Sequence, residues 1–198
     1  MFDLYKTNVQ LSNRLSWLLT IFASFFYLFT MNHPQVGIIG AGPAGLTLAL
    51  VLHRAGISSV ILENRSKEYV TNRVRAGLLE QNTVDLFNEL GVGERMQREG
   101  DEHHGVFLSF DGTKIRIPFD EYTNGRHITI YGQQEVVKDL IAACEDRGIP
   151  IRFECEAVRI ADVETTQPTI YFVENGEEVR QMVEPLMKEL ATDFAGKK

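Results

Sequence analysis

The hydrophobic pattern first becomes regular at residue 35, where two short apolar runs flank a segment of helical character. The runs cover 35–39 and 59–62, and the segment between them predicts a helix over 46–55 that ends at Gly56. A run without alternation is typical of a parallel strand buried on both faces, and glycine commonly caps a helix C-terminus. The pattern therefore predicts a strand–helix–strand unit.

The rest of the chain continues as a mixture of helices and strands. Apolar residues at helical spacing predict helices over 83–90 and 134–147, each followed by glycine. Predicted strands cover 106–110, 113–117, 127–131, 151–154 and 169–173. Asp111-Gly112 predicts a hairpin between the first two of these strands, and Asn175-Gly176 marks a turn after the last. The order of elements indicates an α/β fold with an added β-sheet region.

The N-terminal part differs from the remainder. Residues 15–32 carry no charge and show no polar helical face, and they fall slightly short of the roughly 20 apolar residues that a spanning helix needs. Three interpretations stay open: residues 1–30 are upstream sequence and Met31 is the natural start, the stretch is a genuine membrane helix, or it packs at an interface or against a partner. We treat 1–32 as an apolar, helical N-terminal extension and 33–198 as the main domain.

Composition narrows the function classes. The chain of 198 residues has 44% hydrophobic residues and a formal net charge of −7, which favours a folded domain and argues against a nucleic-acid partner. Cys144 and Cys155 provide neither a disulfide framework nor a zinc-ligand cluster. His103 and His104, beside two acids, are interpreted as a solvated turn rather than a metal site. We expect a cytoplasmic protein without metal, membrane-anchored only if 15–32 is an anchor.

The strongest local signal is the glycine-rich turn between the first strand and the first helix. It reads Gly-Ala-Gly-Pro-Ala-Gly from Gly40 to Gly45. Gly40 permits the tight turn, Gly42 lets a pyrophosphate approach the backbone, and Gly45 lets the helix pack closely on the sheet. Glu63 follows the second strand and can accept hydrogen bonds from a ribose. The motif predicts a dinucleotide site for FAD or NAD, and its spacing does not choose between them.

Further motifs carry a family resemblance. Residues 73–81 read Arg-Val-Arg-Ala-Gly-Leu-Leu-Glu-Gln, residues 60–63 read Val-Ile-Leu-Glu, and residues 131–136 read Tyr-Gly-Gln-Gln-Glu-Val. With the glycine turn, these runs resemble the flavin-dependent aromatic-ring hydroxylases, in particular the members that act on 4-hydroxybenzoate. The resemblance extends over about 35–173. It implies a Rossmann-like βαβ FAD-binding fold with FAD as the cofactor.

The resemblance also implies which residues bind the cofactor. They are Gly40, Gly42, Ala44, Gly45, Glu63, Arg73, Arg75, Ala76, Gly77, Leu78 and Gln133. The arginine pair would lie beside the flavin and its diphosphate, a role that guanidinium forks suit. The alternative for these arginines is a solvated loop that pairs with surface acids. Ala44 stands where relatives can carry serine, which removes one hydroxyl donor.

The resemblance implies an activity for the whole family member: hydroxylation of 4-hydroxybenzoate, an aromatic acid, to 3,4-dihydroxybenzoate with O2 and with NADPH as co-substrate. Family members continue into an Asp-Gly segment and a substrate domain, which this sequence to Lys198 does not contain. We therefore expect a truncated FAD-binding domain that is inactive alone, and we name no catalytic residue. Two alternatives remain: a non-catalytic nucleotide-binding remnant, and part of another FAD-dependent phenolic-ring monooxygenase. A family-like homodimer stays open.

Overall fold

The structure is a computed structural model that describes residues 33–183. The predictions for the apolar extension and for the C-terminal end of the domain fall on 1–32 and 184–198, which lie outside the described residues. The described helices and strands all belong to one compact unit that begins at Pro34.

The strands are, in chain order, β1 Val36–Ile39, β2 Ser59–Leu62, β3 Leu78–Glu80, β4 Asp101–His103, β5 Gly105–Phe110, β6 Thr113–Pro118, β7 Ile128–Ile130, β8 Ile151–Arg152, β9 Glu156–Ala161, β10 Thr169–Glu174 and β11 Glu177–Met182. The helices are α1 Pro43–Arg54, α2 Lys67–Asn72, α3 Gln81–Glu89, α4 Glu94–Glu99, α5 Phe119–Tyr122 and α6 Gln133–Asp146.

A parallel sheet in the order β1-β2-β8 forms the base of the unit. Ile38 of β1 pairs with Ile61 of β2, which pairs in turn with Ile151 of β8. Helix α1 connects β1 to β2, so the predicted strand–helix–strand unit is confirmed. The helix begins at Pro43 rather than at residue 46, because proline is well suited to the first helical position, where its missing N–H is not needed.

Helices α1 and α6 bury their apolar faces in one core with the parallel sheet. Leu46 and Leu50 of α1 and Leu140 and Ile141 of α6 are at most 2% exposed. A second cluster, around Phe172, joins β2 to the antiparallel sheet β11-β10-β9. The two clusters together hold β1 and β2 in place, and the glycine turn follows the C-terminal end of β1.

Two further sheets complete the described part. The order β3-β7-β4 is antiparallel, and β5 pairs with β6 in a hairpin. Asp111 and Gly112 have φ of 45° and 74°, as a two-residue hairpin turn requires. The hairpin and the helices predicted over 83–90 and 134–147 are confirmed, with ends that shift by one or two residues.

The interpretation of the segment at His103 and His104 as a turn is wrong for His103, which lies in a strand, whereas His104 lies in the bend that follows. Asp101–His103 is β4, which pairs with β7 through its backbone and therefore needs no apolar side chains. Both histidines are exposed, as a solvated segment requires. The predicted strand 151–154 is also shorter than expected, because Glu154 takes a positive φ of 58°.

Among residues 33–183, no helix combines the length and the apolar character required to cross a membrane.

The two cysteines should be inert in the folded chain. Burial raises the pKa of the Cys144 thiol and of the Cys155 thiol to about 11, and a hydrogen bond to Glu174 adds to the effect at Cys155. Because the thiolate is the reacting form, we expect little alkylation by iodoacetamide at about pH 8 and complete alkylation in urea. The free energy of unfolding should fall as pH rises from about 9 to about 11, since unfolded thiols ionise first. Rapid labelling of the folded chain, detected by mass spectrometry, would contradict this.

Candidate functional site

The glycine turn is held rigidly at both ends. Gly40 has a φ of +106°, and its N–H donates a 2.7 Å hydrogen bond to the carbonyl of Leu62 in β2. At Gly45 a Cβ atom would lie 2.1 Å from the carbonyl oxygen of Gly40. These two glycines therefore shape the turn, and neither lines either of the two cavities described below.

Gly42 differs from Gly40 and Gly45, the other two glycines of the motif. It is the N-cap of α1 with an ordinary φ of −77°, and nothing lies within 4 Å of the position that a Cβ would take. The first turn of α1 contains no acidic residue, and Pro43 occupies its start. The unpaired N–H groups and the positive end of the helix dipole thus face open space, which suits an anion such as a pyrophosphate.

Glu63 fastens the turn to the end of β2. Its side chain is buried, Oε2 accepts a 2.8 Å hydrogen bond from the N–H of Ala41, and Oε1 accepts a 2.9 Å hydrogen bond from the N–H of Arg65. Each carboxylate oxygen retains a second lone pair for another donor. The acid predicted to contact a ribose therefore has a structural role as well, which sequence reasoning missed.

A cavity of about 400 Å³, which we call the cationic cavity, opens beside Gly42. Its lining residues are Gly42, Pro43, Glu63, Asn64, Arg65, Tyr69, Val70, Arg73, Arg75, Gln133 and Val137. The guanidinium groups of Arg65 and Arg73 lie 5.4 and 5.7 Å from the ring centroid of Tyr69. Arg73 and Arg75 lie exposed in a loop, as the solvated-loop alternative expects, but within residues 33–183 neither pairs with a carboxylate.

The lining of this cavity is positively charged, whereas the chain as a whole is negatively charged. Three arginines and one glutamate line it, whereas the whole chain has a net charge of −7. A concave, positively charged wall next to a helix N-terminus concentrates field lines and favours a phosphorylated ligand.

A second cavity of about 490 Å³, the apolar cavity, shares Pro43 and Gln133 with the cationic cavity. The lining is mostly apolar and consists of Pro43, Ala44, Thr47, Ala76, Gly77, Leu78, Leu79, Thr83, Leu86, Phe87, Gln133 and Val136. Both volumes fall within the usual range for small-molecule sites. The site is thus a cationic compartment and an apolar compartment that meet at one helix N-terminus.

The wall of the apolar cavity depends on a close backbone approach. The N–H of Tyr131 donates a 2.7 Å hydrogen bond to the carbonyl of Gly77. A Cβ at Gly77 would lie 2.6 Å from the Cα of Gly132, so this position requires glycine. The segment Ala76–Leu78 is therefore pressed against the turn that leads from β7 into α6.

The structure gathers the predicted residues around the glycine turn. Gly42, Glu63, Arg73, Arg75 and Gln133 line the cationic cavity, and Ala44, Ala76, Gly77, Leu78 and Gln133 line the apolar one. Sequence reasoning missed Arg65 and Tyr69. The sequence signal that could have found them is a pair of cations shortly after the second strand, Arg65 and Lys67, with Tyr69 one helical turn after Arg65.

Removing the Glu63 carboxylate should affect both folding and binding. In Glu63→Ala the N–H groups of Ala41 and Arg65 lose their buried acceptor, which costs about 1–3 kcal/mol of unfolding free energy. If Glu63 binds the ribose as predicted, affinity for FAD should also fall about tenfold or more, because those hydrogen bonds would be lost. Urea denaturation and a flavin fluorescence titration measure the two effects. Glu63→Gln keeps one carbonyl acceptor and should lose less of each; equal losses in the two variants would contradict these roles.

The fold and the site define a nucleotide-binding domain of the dinucleotide type. The family model described as "FAD binding domain" matches residues 33–184, and the chain belongs to that family. Its relatives are FAD-dependent monooxygenases, and the chain itself is an FAD-binding domain.

Two curated relatives illustrate the similarity. The chain is 43% identical to p-hydroxybenzoate hydroxylase of Acinetobacter baylyi over 142 residues, which is 72% of this chain and 35% of the relative. It is 33% identical to 6-methylpretetramide 4-monooxygenase of Streptomyces rimosus, over 62% of this chain and 29% of that protein. The chain thus spans about a third of the length of these relatives.

Solved structures share the fold. The crystal structure of p-nitrophenol 4-monooxygenase from Pseudomonas putida superposes with a TM-score of 0.68 at 17% identity, over 76% of this chain and 39% of that one. Likeness at this identity supports the fold and says nothing about the substrate.

Proposed function

We propose that the chain holds FAD across the two cavities, with the adenosine diphosphate half in the cationic cavity and the flavin half toward the apolar cavity. The observation that best supports this arrangement is the position of Gly42: its open backbone lines the cationic cavity, next to Pro43, which lines both cavities. Arg73 and Arg75 would then bind the diphosphate, and Glu63 the ribose. Gln133, which lines both cavities, would contact the cofactor near its middle.

The remaining predicted residues fit the same arrangement. Ala44 contributes its backbone to the first turn of α1, and Ala76, Gly77 and Leu78 form a wall without bulky polar groups. Such a wall excludes water from the side of the flavin that it covers. When bound, FAD supplies the redox chemistry, and the chain binds and orients it.

For the whole protein, we propose NADPH- and O2-dependent hydroxylation of 4-hydroxybenzoate to 3,4-dihydroxybenzoate. The 43% identity to a p-hydroxybenzoate hydroxylase supports this choice of aromatic acid. The sequence supplies one glycine-rich nucleotide motif, which the FAD proposal uses, so NADPH would act without a dedicated motif of its own in this chain.

Binding of FAD to the purified chain is the first experiment. Titration of FAD against the full chain, followed by flavin fluorescence, should show saturable binding with one FAD per chain, and ADP should compete for it. Absence of binding by the folded chain would refute the arrangement across the two cavities.

Reduction of the bound FAD is the second experiment. Because the chain alone is expected to be inactive, NADPH or NADH is added without oxygen to the FAD-loaded whole protein, with 4-hydroxybenzoate or another phenol present, and loss of the visible flavin absorbance is timed. The proposal expects the fastest loss with NADPH and 4-hydroxybenzoate. Faster loss with a different phenol would favour another FAD-dependent monooxygenase, in line with the 33% identity to the Streptomyces rimosus enzyme. Bound FAD that neither nucleotide reduces would favour a non-catalytic nucleotide-binding remnant.

A further inference from the structure

We propose that Arg95 is a positioning residue for the flavin: it locks the turn between β7 and α6, which carries Gln133, against the Ala76–Leu78 wall of the apolar cavity. The inference rests on the proposed binding of FAD across the two cavities. Arg95 lies in α4 and lines neither cavity, so it would act entirely through other residues.

Arg95 joins α4 to the first two turns of α6. One guanidinium nitrogen donates to Glu135 and another donates a 3.0 Å hydrogen bond to Asp139, while Nε donates to Glu99 within α4. A guanidinium suits this task because its donors are fixed in one plane and reach two carboxylates at once. The side chains of Glu135 and Asp139 are 23% and 17% exposed, so the pairing is better shielded than a surface ion pair.

Tyr131 extends this network to the cavity wall. Its hydroxyl donates a 2.7 Å hydrogen bond to Asp139, and its ring centroid lies 5.9 Å from the Arg95 guanidinium carbon. Burial and the nearby Asp139 raise the pKa of Tyr131, so the hydroxyl remains a donor at all ordinary pH values. The backbone N–H of Tyr131 also donates a hydrogen bond to the carbonyl of Gly77. A continuous set of contacts therefore runs from Arg95 through Asp139 and Tyr131 to the wall.

The turn between Tyr131 and α6 leaves little space for adjustment. The Cα of Gly132 would be 2.6 Å from a Cβ at Gly77, and Gln133, the first residue of α6, lines both cavities. A small rotation of the first turn of α6 would thus move Gln133 and open the gap at Gly77 together. The flavin half of FAD meets both of these features in the proposed arrangement.

Removal of Arg95 would leave a cluster of like charges beside α6. Glu99, Glu135 and Asp139 surround the guanidinium. Two other cations take part in these contacts, since Lys138 bonds Glu135 and Arg98 bonds Glu99. Lys138 and Arg95 together hold the pKa of Glu135 below its usual value. Without Arg95, the neighbouring carboxylates of Glu135 and Asp139 repel each other on one face of α6, which loosens its first turn.

The test compares affinities for FAD and for ADP in the full chain. Arg95→Met keeps the length of the side chain but removes its donors, and Tyr131→Phe removes only the hydroxyl. We expect Arg95→Met to weaken FAD binding about tenfold and ADP binding less than about twofold, because the cationic cavity remains intact. Tyr131→Phe should lower the ratio of FAD affinity to ADP affinity as well, by a smaller factor than Arg95→Met. The visible circular dichroism of bound FAD should change in both variants.

Two controls separate positioning from general stability. Arg54→Met removes an exposed ion pair with Glu89 and should change neither affinity. Arg95→Met/Asp139→Asn removes the carboxylate repulsion and keeps an oxygen acceptor for Tyr131, so it should recover part of the FAD affinity. Equal losses of FAD and ADP in Arg95→Met, or an unchanged ratio, would overturn the inference while the FAD site stands. An unaltered chain that binds FAD no more tightly than ADP would instead refute the proposed placement of the flavin, and this inference with it.

Discussion

Gly42→Val should abolish FAD binding and leave the fold intact. The backbone at Gly42 has an ordinary φ of −77°, and no atom lies within 4 Å of the position of a new Cβ. The valine side chain would therefore fit the protein but would occupy the space in which the diphosphate meets the N-terminus of α1. We expect affinity for FAD to fall more than about 100-fold, measured by flavin fluorescence, while the urea midpoint falls only slightly, because valine is a poorer N-cap than glycine.

A matched control adds a branched side chain elsewhere. Ala142→Val lies on an exposed position of α6 and should change neither FAD affinity nor the urea midpoint by much. Retained binding in Gly42→Val would exclude the α1 N-terminus as the diphosphate site. Loss of both folding and binding would show that the fold itself, rather than a bound ligand, requires glycine at residue 42.

Local sequence was sufficient to predict the glycine turn and its neighbours. Gly40, Gly42 and Gly45 lie within six consecutive residues. Gly40 is required by its positive φ and Gly45 by the nearby Gly40 carbonyl, whereas Gly42 leaves open space for the proposed ligand. The hairpin at Asp111-Gly112 was predictable for the same reason, since both residues take the positive φ that the turn needs. Such features depend on the residue and its nearest neighbours alone.

Contacts between residues far apart in the sequence could not be predicted from local motifs or hydrophobic periodicity. Arg95 and Asp139 meet across 44 positions of sequence, and no periodicity links α4 to α6. The second role of Glu63 was equally hidden, because the hydrogen bond from Ala41 appears only after β1 and β2 pair. Strand β4 was missed because three exposed polar residues carry no hydrophobic signal, although their backbone pairs with β7.

Gly45→Ala should destabilise the fold strongly, whereas Gly42→Ala three positions earlier should not. Alanine has a better helix propensity than glycine, so propensity alone predicts that a change within α1 stabilises the chain by up to about 1 kcal/mol. Sterics predict the opposite at Gly45, because the new Cβ would lie 2.1 Å from the carbonyl oxygen of Gly40 and 3.1 Å from Cγ2 of Ile38.

The Gly40 carbonyl cannot easily move away from such a methyl group. Gly40 has a positive φ, and its N–H is bonded to β2, so the turn is fixed on both sides of the clash. We expect Gly45→Ala to lower the free energy of unfolding by about 3 kcal/mol, against less than about 1 kcal/mol for Gly42→Ala. Urea denaturation of both variants measures the difference. A Gly45→Ala chain as stable as the unaltered one would mean that α1 can shift away from β1, and the close helix–sheet packing inferred for the turn would be wrong.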